Sequence, residues 1–294
     1  MIDLLIPTVA QGLLWALMAL GVYVTFRVLD IADLTVEGSF PLGAATAASM
    51  MVAGYGPMTS LAAAFVTGTL AGVVTGLLHT KMKIPALLAG ILTMIALYSV
   101  NLRIMGKANL SLLGVDTSFK IARSMLGLNM AQTTLIVGLA VTIIVGSFMY
   151  WFFGTQIGAA IRATGFNQQM IRAQGVDTDV TIILGLLISN GLVAVSGALV
   201  AQSNGFSDVG MGTGTIVIGL ASVIIGEVLF GTRSFKNCLI SVVLGSIVYR
   251  IVIAAVLAMG MPPNDLKLFT SVLVALALSM PLIKAKLGSR KVVR

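Results

Sequence analysis

Nine times along the chain, an apolar run of membrane-crossing or slightly shorter length is closed by a polar break. The runs cover 4–26, 39–54, 57–78, 85–105, 131–153, 180–202, 213–230, 237–259 and 267–283. A helix needs about 20 apolar residues to cross the hydrocarbon core, where every backbone polar group must be satisfied within the segment. Composition points the same way. Of 294 residues, 58% are hydrophobic and 10% charged, whereas a soluble globular chain carries about 25% charged residues. So little polar surface cannot cover a water-soluble fold of this size, which excludes a soluble enzyme, and so apolar a chain is not disordered. Continuous apolar runs, rather than alternation, argue against a membrane β-barrel. The expectation is an all-α polytopic membrane protein of about nine transmembrane helices, within a range of about eight to ten. The second and seventh runs are short and rich in Gly and Ala, and read as half-helices or broken helices.

The basic residues orient the runs. With the N-terminus outside, 12 of the 18 Lys and Arg residues fall on the cytoplasmic side and 5 on the outer side, and Arg250 lies within a run. That bias predicts N-out and C-in. It places the basic C-terminal stretch 284–294 beside anionic lipid headgroups. The net charge of +8 is then a topology signal rather than a sign of nucleic-acid binding. The single Cys238 excludes an intrachain disulfide. The chain reads as one membrane domain over 1–294. Its longest polar stretches are 106–130, predicted outside, and 154–179, predicted inside.

An internal echo runs through the sequence. The first run leads into Asp30-Ile-Ala-Asp33-Leu-Thr35-Val-Glu37-Gly38-Ser39 and a small-residue helix. The sixth leads into Asn204-Gly-Phe-Ser-Asp208-Val-Gly-Met-Gly-Thr-Gly214 and another. These breaks face opposite sides, as an inverted repeat requires.

Carboxylates in lipid are costly. Asp30, Asp33 and Glu37 therefore stand either in water at the inner end of the first span or along a polar cavity made by a broken helix. The second reading puts Asp33, Thr35, Glu37 and Ser39 beside a solute path, with Asn190 and Glu227 as further polar residues set in apolar runs. Glu227 and Arg250 differ in depth by about 15 Å at 1.5 Å per residue, so straight helices do not pair them. Gly68, Gly72 and Gly76 share one helical face and read as a packing surface. No catalytic constellation is visible: His79 is the only histidine, and a metal site needs several ligands. Gly226 to Arg233 has the glycine spacing of a phosphate loop without its Lys-Ser/Thr, and it follows a span, so it is rejected.

The stretch 154–179 predicts a short helix around 158–172, a stop at Gly175 and an N-cap at Asp177 or Asp179. Arg162 and Arg172 project from it. It is either a surface-lying amphipathic helix or a docking element for a soluble partner.

Within it, Gly158, Arg162-Ala163, Gly165, Asn167, Ala173 and Gly175-Val176 resemble the coupling loop of ABC-importer permeases, which makes Arg172 an expected coupling residue as well. The group in question serves branched-chain amino acids, simple sugars and nucleosides. Ala19-Leu-Gly-Val22, Asp33 to Gly38 and Gly219 to Gly231 agree with it, and the similarity spans nearly the whole chain. The stretch DLTVEGSF is similar to that of short permeases paired with tryptophan/tyrosine-type receptor lipoproteins. The resemblance implies a type II importer-like fold and a homodimer in a bacterial plasma membrane. It implies two cytoplasmic ATPases that hold ATP and magnesium and grip the 154–179 loop, so that this chain binds no cofactor or metal and performs no chemistry. It further implies an extracytoplasmic binding protein at an outer mouth formed by 106–130, 203–212 and 260–266. The resemblance implies a small amino acid-like solute, with aromatic amino acids included. An ion-coupled secondary transporter, or an ABC permease for a sugar or nucleoside, stands as the alternative.

Overall fold

The computed structural model describes residues 2–260, 262, 265, 268–276 and 279. Among the described residues, 268–276 are helical and eleven further α-helices have defined bounds: α1 Ile2–Tyr23, α2 Val36–Val52, α3 Pro57–Thr80, α4 Ala86–Met105, α5 Ser118–Leu126, α6 Met130–Gly154, α7 Gln156–Phe166, α8 Gln168–Ala173, α9 Thr178–Asn204, α10 Thr215–Phe230 and α11 Phe235–Ala258. Seven helical segments among the described residues are long and apolar enough to cross a membrane. These are seven of the nine expected runs, and the second and ninth are not among them. The run at 39–54 folds as α2, whose 17 residues reach about 25 Å, less than the hydrocarbon thickness. Of the ninth run, residues 268–276 and 279 are described and are helical, and the rest of it and the basic stretch 284–294 lie outside the described residues.

The chain is mostly helical, as expected, with one small exception. Strands β1 Asn109–Ser111 and β2 Phe206–Asp208 form an antiparallel ribbon, with Leu110 opposite Ser207. The ribbon joins the 106–130 segment to the stretch before α10, and marks one end of the bundle. Helices α7 and α8 mark the other.

Helices α1 and α9 form the centre. In α9, 72% of the most apolar window is buried, against 17% in α6, which lines the periphery. Apolar helices in lipid gain little from hydrophobic burial against one another, so close approach and interhelical hydrogen bonds decide the packing. Both are present. On α3, a Cβ at Gly68 would meet Asn190 O at 2.5 Å, and one at Gly76 would meet Ile183 Cα at 3.1 Å. Gly72 lies equally close to Leu186 O. The three-glycine face is thus the α3–α9 contact within one chain.

Hydroxyl donors hold α1. Ser189 Oγ donates to Gly21 O (2.7 Å), Ser196 Oγ to Leu14 O (2.7 Å), Ser246 Oγ to Gly12 O (2.8 Å) and Thr142 Oγ1 to Leu13 O (3.2 Å). Helices α6, α9 and α11 therefore each bond to carbonyls of α1 through the second lone pair.

Candidate functional site

Two helix breaks build the interior of the bundle. The first begins where α1 loosens into a π-turn, Val24–Val28, with Leu29 N donating to Val24 O at 2.9 Å. Asp30 takes the left-handed conformation (φ 55), which Asp tolerates better than most residues, and the chain turns back into the bundle. Leu34 N lies 2.8 Å from where a Cβ on Gly90 would stand, so the glycine leaves room for the returning backbone.

That return carries polar groups to the depth of Asn190, about 18 Å along α9 from its first residue. Asp33 is 2% exposed. Its carboxylate accepts from Thr35 N (2.9 Å) and Asn190 Nδ2 (2.8 Å). Asn190 Oδ1 accepts from Ser39 Oγ at 2.6 Å. Thr35 Oγ1 lies 2.7 Å from Thr75 Oγ1, which donates to Thr93 Oγ1 at 2.9 Å. One connected network thus ties the break to α2, α3, α4 and α9. A buried carboxylate is tolerated only when its lone pairs are used. Four of the sequence-selected path residues, Asp33, Thr35, Ser39 and Asn190, meet here. Asp30, by contrast, is exposed, so the acidic cluster divides between the two environments considered for it.

The second break, 206–214, enters from the ribbon end. Gly214 N donates to Glu37 Oε1 at 3.0 Å. A Cβ on Gly212 would meet Glu37 O and stand 2.7 Å from Pro41 Cδ. Helices α2 and α10 therefore both start inside the bundle, and their N-terminal ends, each a partial positive pole, flank Glu37. Beside this junction lies a cavity of about 440 Å³ lined by residues including Glu37, Pro41, Tyr98, Asn101 and Thr213. A second, more apolar cavity of about 470 Å³ lies between α1, α6 and α11.

Glu227 stands apart from these groups. It forms an ion pair with Arg27, just after α1, toward the α7 end. Arg250 does not pair with Glu227; its guanidinium stacks over Trp15 at 4.1 Å from the ring centroid.

The 154–179 segment departs from the single helix expected over 158–172. It forms two helices, because Asn167 adopts extended backbone (φ −157, ψ 97) and its Oδ1 accepts from Met170 N at 3.0 Å, capping α8. Gly175 ends the unit at φ 85, and Asp177, not Asp179, caps α9. Gly158 packs on the Phe152–Phe153 backbone and Gly165 on Val28 O. Arg162 is exposed over the Phe235 ring (5.4 Å), and Ala163 is half-buried. Arg172 bonds Thr178 and Asp179. Asp179 also faces Lys81 (3.4 Å) and Lys83 (3.8 Å). At the corner between α7 and α8, Phe166 is 91% exposed. The seven selected residues share one segment, with Gly158 and Gly165 seating it and the others facing outward, half-buried or bonded to α9.

Sequence reasoning passed over Thr75, Thr93, Asn101 and Phe166. Thr75 sits within the glycine row on α3. Asn101, an amide inside the run 85–105, carried the same signal that marked Asn190. Phe166 is a lone aromatic in a polar stretch.

This arrangement of helices, interior breaks and a projecting helix pair has a solved counterpart. A chain of an ABC transporter in an inward-facing conformation, assigned to the metal-chelate type, superposes with a TM-score of 0.50 at 14% identity, covering 96% of this chain and 85% of that one. The likeness identifies the fold of an ABC transporter's membrane-spanning subunit. Residues 4–279 match the family described as branched-chain amino acid transport system / permease component, and the chain belongs to that family. It is 40% identical to the tyrosine transport system permease protein of Clostridioides difficile, over 92% of this chain and 88% of the relative. It is 30% identical to the galactofuranose transporter permease protein YtfT of Escherichia coli, over 85% of this chain and 71% of the relative. With seven membrane-length apolar helices among the described residues, it is a multi-pass membrane protein and a permease component.

Proposed function

We propose that this permease serves an ABC importer in a bacterial plasma membrane and passes a small solute, an aromatic amino acid. The tyrosine-system relative favours that solute. Two copies enclose the path, and an extracytoplasmic receptor delivers solute at the ribbon end. Two partner ATPases, which hold ATP and magnesium, engage α7 and α8. In this reading the N-terminus is outside, the α7 end is cytoplasmic, 154–179 is the coupling loop of a single 1–294 permease domain, and the two breaks belong to an inverted repeat.

One observation carries the proposal. Gly165 of α7 packs directly on Val28 O, at the root of the first break, and Thr164 Oγ1 lies 2.8 Å from Thr181 Oγ1 of α9. Motion of α7 therefore reaches the Asp33–Asn190 network through a few packed atoms. The exposed Phe166 and the cap residue Asn167 offer an apolar tip for a partner's groove. ATP closure of the ATPase pair would shift that tip and swing access from one side to the other. Glu37 and the interior network line the path in this account, and Glu227 with Arg27 closes its inner end.

A second reading, an ion-coupled transporter, draws on the buried Asp33 carboxylate. One experiment separates the two. The chain, reconstituted with its ATPase and receptor, should take up solute only with ATP and ignore an uncoupler. Arg162→Glu should abolish that uptake while membrane insertion stays at the parent level. Uptake without any ATPase that collapses with an uncoupler would overturn the proposal. A sugar as the only accepted solute would overturn the amino-acid part alone.

A further inference from the structure

We propose that the groove between α6 and α11 is a binding site for one anionic phospholipid, with an acyl chain laid along it and the headgroup phosphate at Lys236. The site goes beyond the transport reading and rests only on the chain's crossing a membrane.

Packing on α1 makes the groove. Thr142 Oγ1 of α6 donates to Leu13 O, and Ser246 Oγ of α11 donates to Gly12 O. Both helices are thereby held to α1, and the cavity of about 470 Å³ opens between them. Leu13 and Leu20 line it from α1, and both are buried. The α6 wall carries Leu139 and Ile143, which are exposed. It then reaches Gly146, where an added Cβ would meet nothing within 4 Å. The wall is hollow at that point, and the groove is open on the side of α6 that faces lipid.

Length and polarity indicate which part of a lipid fits. From Leu139 to Tyr150 the groove follows α6 for about 16 Å, at 1.5 Å per residue. That is close to half of the hydrocarbon core of about 30 Å, so the groove serves one leaflet. Only one of its ends is charged. Lys236, in the first turn of α11, is the sole charged lining residue and stands with Tyr150 toward the α7 end. Lysine and tyrosine at one level mark where hydrocarbon gives way to headgroups. An apolar slot one leaflet long with a cation at its interfacial end matches an acyl chain and its phosphate.

Charge complementarity then selects the headgroup. At the same end of the bundle, Lys81 and Lys83 share Asp179, and Arg27 takes Glu227. Lys236 is exposed and has no carboxylate partner among the described residues. No acidic residue lines the groove. A zwitterionic headgroup would bring its own cation to this lysine, whereas an anionic one brings only the charge that matches it. The headgroup end also adjoins the 154–179 segment. Phe235, next to Lys236, lies against Phe153 of α6 (5.3 Å between centroids) and under the Arg162 guanidinium of α7.

The test uses the full chain in nanodiscs that hold phosphatidylglycerol and phosphatidylcholine in equal amounts with identical acyl chains. Native mass spectrometry of the released protein reads which lipid stays bound. One phosphatidylglycerol per chain should be retained, favoured about fivefold over phosphatidylcholine, the preference one lysine gives at an anionic surface. Lys236→Gln should bring that preference close to unity. Gly146→Leu fills the hollow without meeting a protein atom, so it should insert normally and lose the retained lipid whatever its headgroup. No retained lipid, equal retention of the two headgroups, an unchanged preference in Lys236→Gln, or parent-level retention in Gly146→Leu would each overturn the proposal. So would a second copy of the chain seated over the groove, read as efficient disulfide cross-linking of Ser147→Cys in a Cys238→Ser background.

Discussion

Asp33 and Asp179 sit in two regions of one molecule that treat a carboxylate in opposite ways. Asp33 is sealed inside, and its carboxylate accepts from neutral groups, an amide and a backbone N–H. Asp179 stands at the α7 end among Lys81, Lys83 and Arg172, whose side chains are more than half exposed. Formal charge pairing is richer at the second site. Energetic weight is greater at the first, because burial strengthens each hydrogen bond and makes its loss costly, whereas exposed ion pairs are screened. Counting charges would rank the two regions wrongly. The comparison also separates roles: the interior network sets where the first break rests, while the outer cluster ties α8 to the start of α9 and to the turn after α3.

Gly165→Trp tests the contact that joins the two regions. A side chain there displaces Val28 O, so ATP-driven uptake should fall more than tenfold while the amount of inserted protein stays near the parent level. Normal uptake would mean that α7 and the first break move independently. Asn190→Leu comes next. It removes a donor to Asp33 and an acceptor for Ser39, and should cost about 3 kcal/mol of stability in a micellar unfolding titration. A loss under about 1 kcal/mol would place Asp33 with the solvated carboxylates. Asp179→Asn should have the smallest effect, below about 1 kcal/mol. That effect should shrink further as salt rises from low to physiological concentration. A salt-independent loss would show that the outer cluster is less exposed to screening than its geometry implies.

Much of this was legible in the sequence. Run length and apolarity located α3, α4, α6, α9 and α11, because a bilayer-crossing helix must satisfy its own backbone and advertises itself by length. The breaks after the first and sixth runs were visible as acidic and glycine-rich interruptions. What the runs did not reveal is how far each break re-enters. Re-entry depends on partners distant in sequence: Gly90 leaves space for Leu34, and Asn190 meets Asp33 across 157 positions. The two-helix form of 156–173 was missed because Asn167 is compatible with a helix interior in isolation. Its extended backbone and its cap to Met170 N break the helix. Glu227 was grouped with the path on hydropathy alone. Its ion pair with Arg27 depends on the packing of α10 against α1, which no local pattern encodes. Asn101 was as legible as Asn190, since both are lone amides in apolar runs, but its bond to Gly38 O depends on a partner distant in sequence.

The β1–β2 ribbon has a mechanical consequence. The stretch 206–214 hangs from it, and the stretch 29–35 is seated on α7. The two stretches meet at Glu37, in the first turn of α2, whose carboxylate accepts from Gly214 N. Each end of the bundle therefore has its own handle, and both handles bear on a single fulcrum at mid-depth. A load applied to the ribbon and a load applied to α7 are summed there, without any full-length helix having to slide.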